Sequence, residues 1–573
     1  VDGSTLPTSE KVRGDKSSDA MMRLRQHVDN RLIGLRVDRF SWWIHWRELA
    51  DYILPRRYKW LITPNQATRG SPINQRIIDS TGTLAMRTCA SGMMSGMTSP
   101  GRPWFRMTLE NKDLAEDPEV KTWLEQVRER MMTVFAESNF YQGMAVMYQD
   151  LAVFGTGPML VYEDHRTVIR CYNPCAGEYY VSNSERLQIE VFYREFVLTT
   201  DQVAREFGLE NCSPTVTEAI RTAGAMLTRE IRIGHAIEPN DEFVPDAPGM
   251  AGMPYREIYW ELGSGQNYTL RIKGYHEFPC VCPRWDIVGN DAYGRSPGMD
   301  ALGDIKQLQS EQKRKGQAID KHVNPPLVAD VALKNEPASL LPGGVTYVPS
   351  TAGAVGFKPV YQVQPDMQGM LLDIKEVQER IRTTFFSDLF LMISQIDTVR
   401  SATEIDARKE EKLIQLGPVI ERFQNEALDP IIDRTFSIML RNKKLPPLPQ
   451  ALMRGAKIKV EYVSMLAEAQ KAVFTAAIER LFQFAGNMAG AIPTILDNLD
   501  GDVAIEKYAD YLGVTPEVIV SLKKVAALRQ TRAQQQQQAQ LMQQTMAGAQ
   551  GAKVLSEAQV GGGANALQKM LGN

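Results

Sequence analysis

From Ser296 to His322 the sequence reads as one long helix with very little to bury. Ser296 can cap it, and Pro297 takes the first helical position, where a missing N–H is no loss. At 1.5 Å per residue such a helix is roughly 40 Å long. Its apolar stripe holds only Leu302, Ile305, Leu308 and Ile319, and the rest is polar, including Lys313-Arg-Lys315. A long helix with so thin a stripe either bridges between bodies or is flanked by neighbouring subunits. A second helical pattern, Asp366 to Phe386, is better stocked, with Met367, Met370, Leu371, Ile374, Val377 and Ile381. The insert between the two, from Asn324-Pro-Pro326 to Gln364-Pro365, reads as short strands and turns. A polar loop, Ser394-Gln-Ile-Asp-Thr-Val-Arg400, follows the second helix. No catalytic motif accompanies this hairpin, which makes it a lever or a wall element rather than an active site.

Before the hairpin, the first twenty residues are polar and expected to fray. Met21 to Ile53 reads as helix, ended by Pro55. Its Trp42, Trp43 and Trp46 are an aromatic face for a core rather than a binding platform. The cluster Arg56-Arg-Tyr-Lys-Trp60 reads as a solvated edge. Asn74 to Thr98 is a helix rich in small residues and methionine, which lets another backbone approach closely. Helices follow from Pro118 and from Phe140 to Phe154, the second broken by Gly155-Thr-Gly157. From Met159 to Trp285 alternating patterns such as Ile189-Glu-Val-Phe-Tyr-Arg-Glu-Phe196 and Glu257-Ile-Tyr-Trp-Glu261 predict a mainly antiparallel sheet. Helices interrupt it at Thr200–Phe207, with Thr200 as cap, and near Val216–Leu227. After the hairpin, Ser401-Ala-Thr-Glu404 is a capping box opening a long helix to Leu440, with breaks or kinks at Pro418 and Pro430. A strand, Ile458–Tyr462, precedes a helical tail from Ser464, with a Gly stop at Gly513 and a fresh start at Thr515-Pro. The Gln534–Gln544 stretch is either disordered or a helix packing on copies of itself, and Gly561-Gly-Gly563 is expected to be loose.

The 573 residues carry 65 basic and 68 acidic side chains, a formal charge of −3. A general nucleic-acid binder would show a basic excess. DNA passing through a channel is compatible with balance, because many phosphate contacts would hinder sliding. No apolar run reaches the roughly 20 residues needed to span a bilayer. The N-terminus lacks a signal-peptide pattern, so the chain is expected in the cytosol and its sequons at Asn211 and Asn267 carry no meaning. The six cysteines include Cys171-x3-Cys175 and Cys280-x-Cys282. That spacing is not the paired Cys-x2-Cys of zinc sites, and the thiols read as ordinary buried ones. No phosphate-binding loop, dinucleotide fingerprint, nucleophile elbow, metalloprotease motif or Ca²⁺ loop is present. The six histidines are isolated from one another. No catalytic residue, metal or cofactor is assigned.

Four stretches resemble the head-to-tail connector, or portal, proteins of short-tailed bacteriophages. They are Ala90-Ser-Gly-Met-Met-Ser-Gly-Met-Thr-Ser-Pro-Gly-Arg-Pro-Trp-Phe105, Tyr293-Gly-Arg-Ser-Pro-Gly-Met299, Asn324-Pro-Pro326 and Leu416-Gly-Pro-Val-Ile-Glu-Arg-Phe423. They stand in family-like order, and the resemblance covers roughly Arg31 to Ala527. It implies an α+β, predominantly helical portal-type fold, assembled as a ring, usually of twelve copies, at one capsid vertex. The implied parts are a wing at 1–296, a first stem helix at 297–324, a clip at 325–365 and a second stem helix at 366–386. A tunnel loop follows at 387–400, then a wing helix and strand at 401–463, a crown at 464–527 and a Gln-rich barrel or disordered tail at 528–573. Ser394, Gln395, Thr398 and Arg400 would touch DNA weakly in the channel. Lys306, Lys313, Arg314, Lys315 and Lys321 would face either the channel or adjacent subunits. The implied partners are copies of the chain, double-stranded DNA, the terminase large subunit, major capsid protein and scaffold, and tail adaptors, with no membrane. Such a chain would be made in the host cytoplasm, end in the virion and do no chemistry of its own. The rival readings are a tail adaptor and a DNA-processing enzyme.

Overall fold

A computed structural model describes residues 18–58, 76–111, 117–264, 269–323, 327–328, 358–359, 366–394, 416–449, 452, 458–462, 478–488, 499–512, 525, 527–538, 542, 546, 550, 553, 559–560 and 564–565. The chain divides into two units, 1–464 and 465–573. The first mixes helix and sheet.

Five strands form an antiparallel meander: β4 (Tyr179–Asn183), β5 (Ile189–Thr199), β6 (Glu230–Pro239), β7 (Tyr255–Glu261) and β8 (Arg271–Tyr275). Strand side chains alternate between faces, and each face here has its own core. On one, α1 (Ser18–Tyr52) lays Val28, Leu32 and Leu35 against Tyr180, Val191, Tyr193, Ala236, Ile258 and Trp260. On the other, α5 (Thr200–Phe207) and α6 (Pro214–Thr222) pack Val203, Phe207 and Val216 against Ile233, Tyr259 and Leu270. Glu238 ties α1 to the sheet. Its buried carboxylate accepts from Tyr193 Oη at 2.6 Å, Arg31 at 3.1 Å and Arg256 Nε at 2.8 Å.

Three expected boundaries shift. The helix expected from Asn74 begins at Thr81, and residues 76–80 are not helical. The cap of α5 is Thr199, not Thr200. Thr199 keeps an extended backbone, its Oγ1 accepts from Gln202 N at 3.3 Å, and its own N–H donates to Gln202 Oε1 at 3.0 Å, a reciprocal capping box. The next helix starts at Pro214, earlier than Val216, and ends at Thr222. Ala223, at φ +53°, turns the chain into a 3₁₀ stretch, Gly224–Thr228.

A second layer is built from α2 (Thr81–Met97), β1 (Phe105–Leu109), α3 (Pro118–Glu137) and α4 (Phe140–Phe154). Alongside them lies a small sheet in the order β3 (Val168–Tyr172), β2 (Met159–Asp164), β9 (Cys280–Val281). Trp104, Phe105, Phe135 and Phe140 cluster with centroids 4.4–6.3 Å apart. Trp46 is fully buried, edge-on to Tyr293 at 5.2 Å and Phe154 at 6.2 Å, so it serves the core as expected. Arg57 departs from the expected solvated edge: it donates to both carboxylate oxygens of Asp150, at 3.0 and 2.6 Å, and to Cys175 Sγ. The thiols of Cys89, Cys171, Cys212, Cys280 and Cys282 are buried, and burial pushes Cys89 and Cys171 up to about 12.

Residues 416–423 are helical, Gln424–Leu428 form a π-helical turn, and α10 (Asp429–Arg441) continues. Pro418, expected to kink or break the helix, lies within the unbroken helix of residues 416–423, and Pro430, of which the same was expected, sits directly behind the π turn. There the wider winding accommodates a residue without an N–H. β12 (Ile458–Tyr462) returns across more than three hundred residues to pair antiparallel with β1, Phe105 opposite Tyr462.

In the second unit, residues 478–488, α11 (Gly501–Leu512) and residues 527–538 are helical. Tyr508 bonds Glu479, and Arg529 pairs with Asp502 at 2.5 Å. The helix over residues 527–538, which enters the Gln run, is exposed all round. Gln559–Val560 and Ala564–Asn565 pair as two short strands around the glycine run expected to be loose.

Candidate channel hairpin and its footing

The hairpin consists of α7 (Pro297–Val323) and α8 (Met367–Thr384). Ser296 caps α7: its Oγ accepts from Met299 N at 3.1 Å and donates to Val153 O at 2.7 Å. Asp366 caps α8, accepting from Gln368 N at 3.1 Å and Gly369 N at 2.9 Å. Between them, β10 (Leu327–Val328) and β11 (Lys358–Pro359) pair antiparallel. The rest of the insert expected as a clip lies outside the described residues, as do Asn324-Pro-Pro326, the box Ser401–Glu404 and the restart at Thr515.

The footing accounts for Tyr293 and Gly294 and for the Ser-Pro-Gly step of the Tyr293–Met299 stretch. Tyr293 Oη accepts from Val181 N at 3.1 Å. Gly294 crosses Gly155 backbone to backbone with no room for a Cβ on either, and Gly155 has φ +75°. Only glycine tolerates both conditions. Trp285 N donates to Gly155 O at 2.9 Å, and Gly294 N to Thr156 Oγ1 at 2.9 Å. Gly298 sits against the backbone of Ala152 and Val153, where a Cβ would stand 3.0 Å from Ala152 O. Beside this crossing, Arg284 is buried and bonds Glu426 through two nitrogens, at 3.2 and 2.6 Å. It also reaches Asn183 Oδ1, Asp291 O and Leu187 O. Arg422 donates to Trp285 O at 2.8 Å, and Phe423 stacks on Tyr148 at 5.0 Å, which places the Leu416–Phe423 stretch on the same footing.

Higher up, both hairpin helices are tied to the start of α2. Gln309 accepts from the backbone N–H of Ile78 and Asp79 at 2.6 and 2.8 Å and donates to Asp79 O at 2.9 Å. Gln312 and Gln378 each donate to Asp79 Oδ2 at 2.9 Å. Asp79 Oδ1 accepts from Thr81 N at 2.8 Å. Partial burial raises the Asp79 carboxyl, but these donors outweigh it and hold it below its ordinary 3.8. Nothing in the sequence reading flagged these glutamines. The available signal was Gln309 and Gln312, one helical turn apart on the face that carries Ile305 and Leu308.

Beyond that tie little of the hairpin is covered among the described residues. The buried positions of α7 run from Pro297 to Gln309, and none from Ser310 to Val323 is buried. In α8 only Ile374, Val377 and Ile381 are buried, while Leu372 is 68% exposed.

The candidate residues therefore divide. Lys306 pairs with Glu48 at 2.8 Å and lies over the Tyr52 ring, a bond to α1 of its own chain. Lys313, Arg314 and Lys321 are exposed and Lys315 half-buried, and none has a partner among the described residues. The chain after α8, expected as loop from residue 387, is helical as α9 (Ser387–Ser394). Leu389 and Phe390 are buried, and this apolar anchoring explains the helix. Ser394 thus ends a helix, and Gln395, Thr398 and Arg400 lie outside the described residues. Among the described residues no group of three or more His, Cys, Asp or Glu has metal-site geometry, and no helix is long and apolar enough to cross a membrane.

Comparison with known proteins converges on one family. A sequence profile described as "Bacteriophage head to tail connecting protein" matches residues 25–520. The chain is similar to the "Probable portal protein" of Bordetella phage BPP-1, 43% identical over 499 residues, covering 87% of this chain and 89% of the relative. It is also similar to the "Portal protein" of Salmonella phage epsilon15, 43% identical over 537 residues, covering 93% of this chain and 96% of the relative. The chain belongs to the family of bacteriophage head to tail connecting proteins.

Proposed function

We propose that this chain is a viral portal whose copies assemble into a ring, of twelve in the usual form, around a channel at one capsid vertex. Double-stranded DNA enters through it during packaging, is retained, and leaves through it at ejection. The observation that carries the assembly reading is the α7–α8 hairpin, whose first helix has no buried residue from Ser310 to Val323 in the isolated subunit. A helix this polar, with its few apolar side chains such as Ile319 and Val323 exposed, needs neighbours, and a ring supplies them.

A second surface supports the same reading. Ile33, Val37, Phe40 and Ile44 recur at helical spacing on the outer side of α1 and are 55–71% exposed. A continuous apolar stripe of this kind marks an interaction surface rather than ordinary solvent exposure.

In this assignment α7 and α8 are the stem, the insert is the clip, and residues 395–400 are the tunnel segment, with Gln395, Thr398 and Arg400 near DNA and Ser394 at its root. Lys313, Arg314, Lys315 and Lys321 face the channel or the next subunit. The second unit is the crown, extended by the Gln-rich segment. The terminase large subunit docks on the clip during packaging and tail adaptors dock there afterwards, while capsid protein and scaffold surround the ring. The mechanism is passive: the terminase hydrolyses ATP, and the portal guides and retains DNA.

Electron microscopy of the purified chain tests this. Rings with a central channel are expected. A monodisperse monomer under all conditions, or metal-dependent DNA cleavage by the purified chain, would overturn it.

A further inference from the structure

We infer that Gly92 of α2 and Phe390 of α9 form a seat that fixes α9, the helix from which the tunnel segment leaves. This rests on the portal assignment of residues 395–400. The turn between α8 and α9 is made by Phe386 at φ +55°. For a bulky side chain this is a true backbone outlier, held only where the surroundings over-determine it. Three contacts do so. The Phe386 ring lies 6.2 Å from Trp285, which is itself hydrogen-bonded to the Gly155 crossing. Ser387 Oγ donates to Ala85 O at 3.3 Å. Phe390 fills the notch over Gly92, and a Cβ on Gly92 would collide with the Cβ, Cγ and Cδ1 of that residue.

The place of that collision decides the consequence. A clash at the far end of a side chain is relieved by rotating it. A clash at the root is relieved only by moving the helix that carries it. Phe390 is 5% exposed and Leu389 fully buried, so α9 has a defined position rather than resting on a surface. Residue 395 follows α9 directly in the chain. The point at which the tunnel segment leaves α9 is therefore set by α2, and Gly92 and Phe390 are positioning residues. Relaxing Phe386 to an ordinary helical φ would let α8 run on into α9, carrying Phe390 away from its seat.

Two variants act on the seat in opposite ways. Gly92→Ala overfills it and Phe390→Ala empties it. Both are expected to raise amide hydrogen exchange in residues 387–394 by about tenfold or more, leaving α2 and α7 protected, as release of one local unit requires. Phe390→Leu, which keeps an apolar side chain in the notch, is expected to hold exchange near the parent level. Particles assembled with either alanine variant are expected to form rings but lose packaged DNA faster than the parent. Unchanged exchange in 387–394 would overturn the seat. Raised exchange with normal DNA retention, or loss of rings in both variants, would overturn the positioning role. A parent chain that forms no ring would sink the portal reading instead, while the exchange comparison would still report on the seat.

Discussion

Gln312 and Gln378, on different helices of the hairpin, donate to one and the same oxygen, Asp79 Oδ2, each at 2.9 Å. One carboxylate thus sets the spacing of both helices against α2. Replacing Asp79 with alanine leaves two half-buried amides without their acceptor and removes the bond to Thr81 N. We expect a loss of about 1–3 kcal/mol, read by denaturant unfolding of the subunit. The depressed carboxyl makes the tie pH-dependent. Its contribution is present above the unfolded pKa, ordinarily 3.8, and is lost as pH falls through the lower folded value.

Gly155 and Gly303 predict opposite outcomes for the same substitution. Gly155→Ala puts a Cβ into the backbone of Gly294 at a positive φ, and should cost about 3–5 kcal/mol. Gly303 lies in the interior of α7 with open space above it. Gly303→Ala should stabilise the isolated subunit by roughly 0.5–1 kcal/mol. Thermal unfolding distinguishes the two. If neighbouring copies approach closely at Gly303, ring formation by this more stable variant will fall.

The buried pair Arg284–Glu426 predicts an asymmetric mutant cycle. The side chains are 2% and 19% exposed. Glu426→Ala leaves a buried guanidinium without its counter-charge and should destabilise by about 3–5 kcal/mol. The double variant Arg284→Met, Glu426→Leu removes both charges and should cost less than that single change. Chemical denaturation of the three chains gives the comparison.

A pH effect is expected from the fully buried His235. Arg194 Nε donates to its Nδ1 at 2.9 Å, so the proton sits on Nε2, which faces Glu257 Oε1 at 2.9 Å. Burial pushes His235 down to about 4, against the pull of Glu257. Burial works to raise Glu257, but the bonds from His235 and Tyr275 outweigh it and hold its carboxyl at about 2. Between about pH 4 and 6.5 the unfolded chain takes up a proton at this histidine that the folded chain does not. Stability should therefore rise with pH across that window. His235→Gln should flatten this part of the curve, measured as unfolding free energy against pH.

Periodicity located the helices Phe140–Phe154 and Thr200–Phe207 closely, and the first hairpin helix to within a residue. It named no strand at β6, the centre of the meander. That segment places Gly234 and His235 where alternation predicts apolar side chains, and the histidine is tolerated only because Arg194 and Glu257 satisfy both ring nitrogens. The pairing of β1 with β12 was illegible because nothing local encodes a partner so distant in the chain. Charged residues misled for a related reason. Arg57 reads as surface until Asp150 is found beneath it, and a lysine on a polar helix does not announce that Glu48 lies opposite.

The π turn at Gln424–Leu428 bears on how this chain can change length. Such a turn carries one residue more than α geometry while the flanking segments keep their phase. On one side Phe423 stays stacked on Tyr148; on the other Arg434 still donates to Val161 O at 2.8 Å. Deleting one residue inside the turn would tighten it to ordinary α winding without rotating either flank. The same deletion a turn earlier or later would swing α10 by about 100°. Single-residue length differences among relatives should therefore gather at these five positions rather than scatter along the helix.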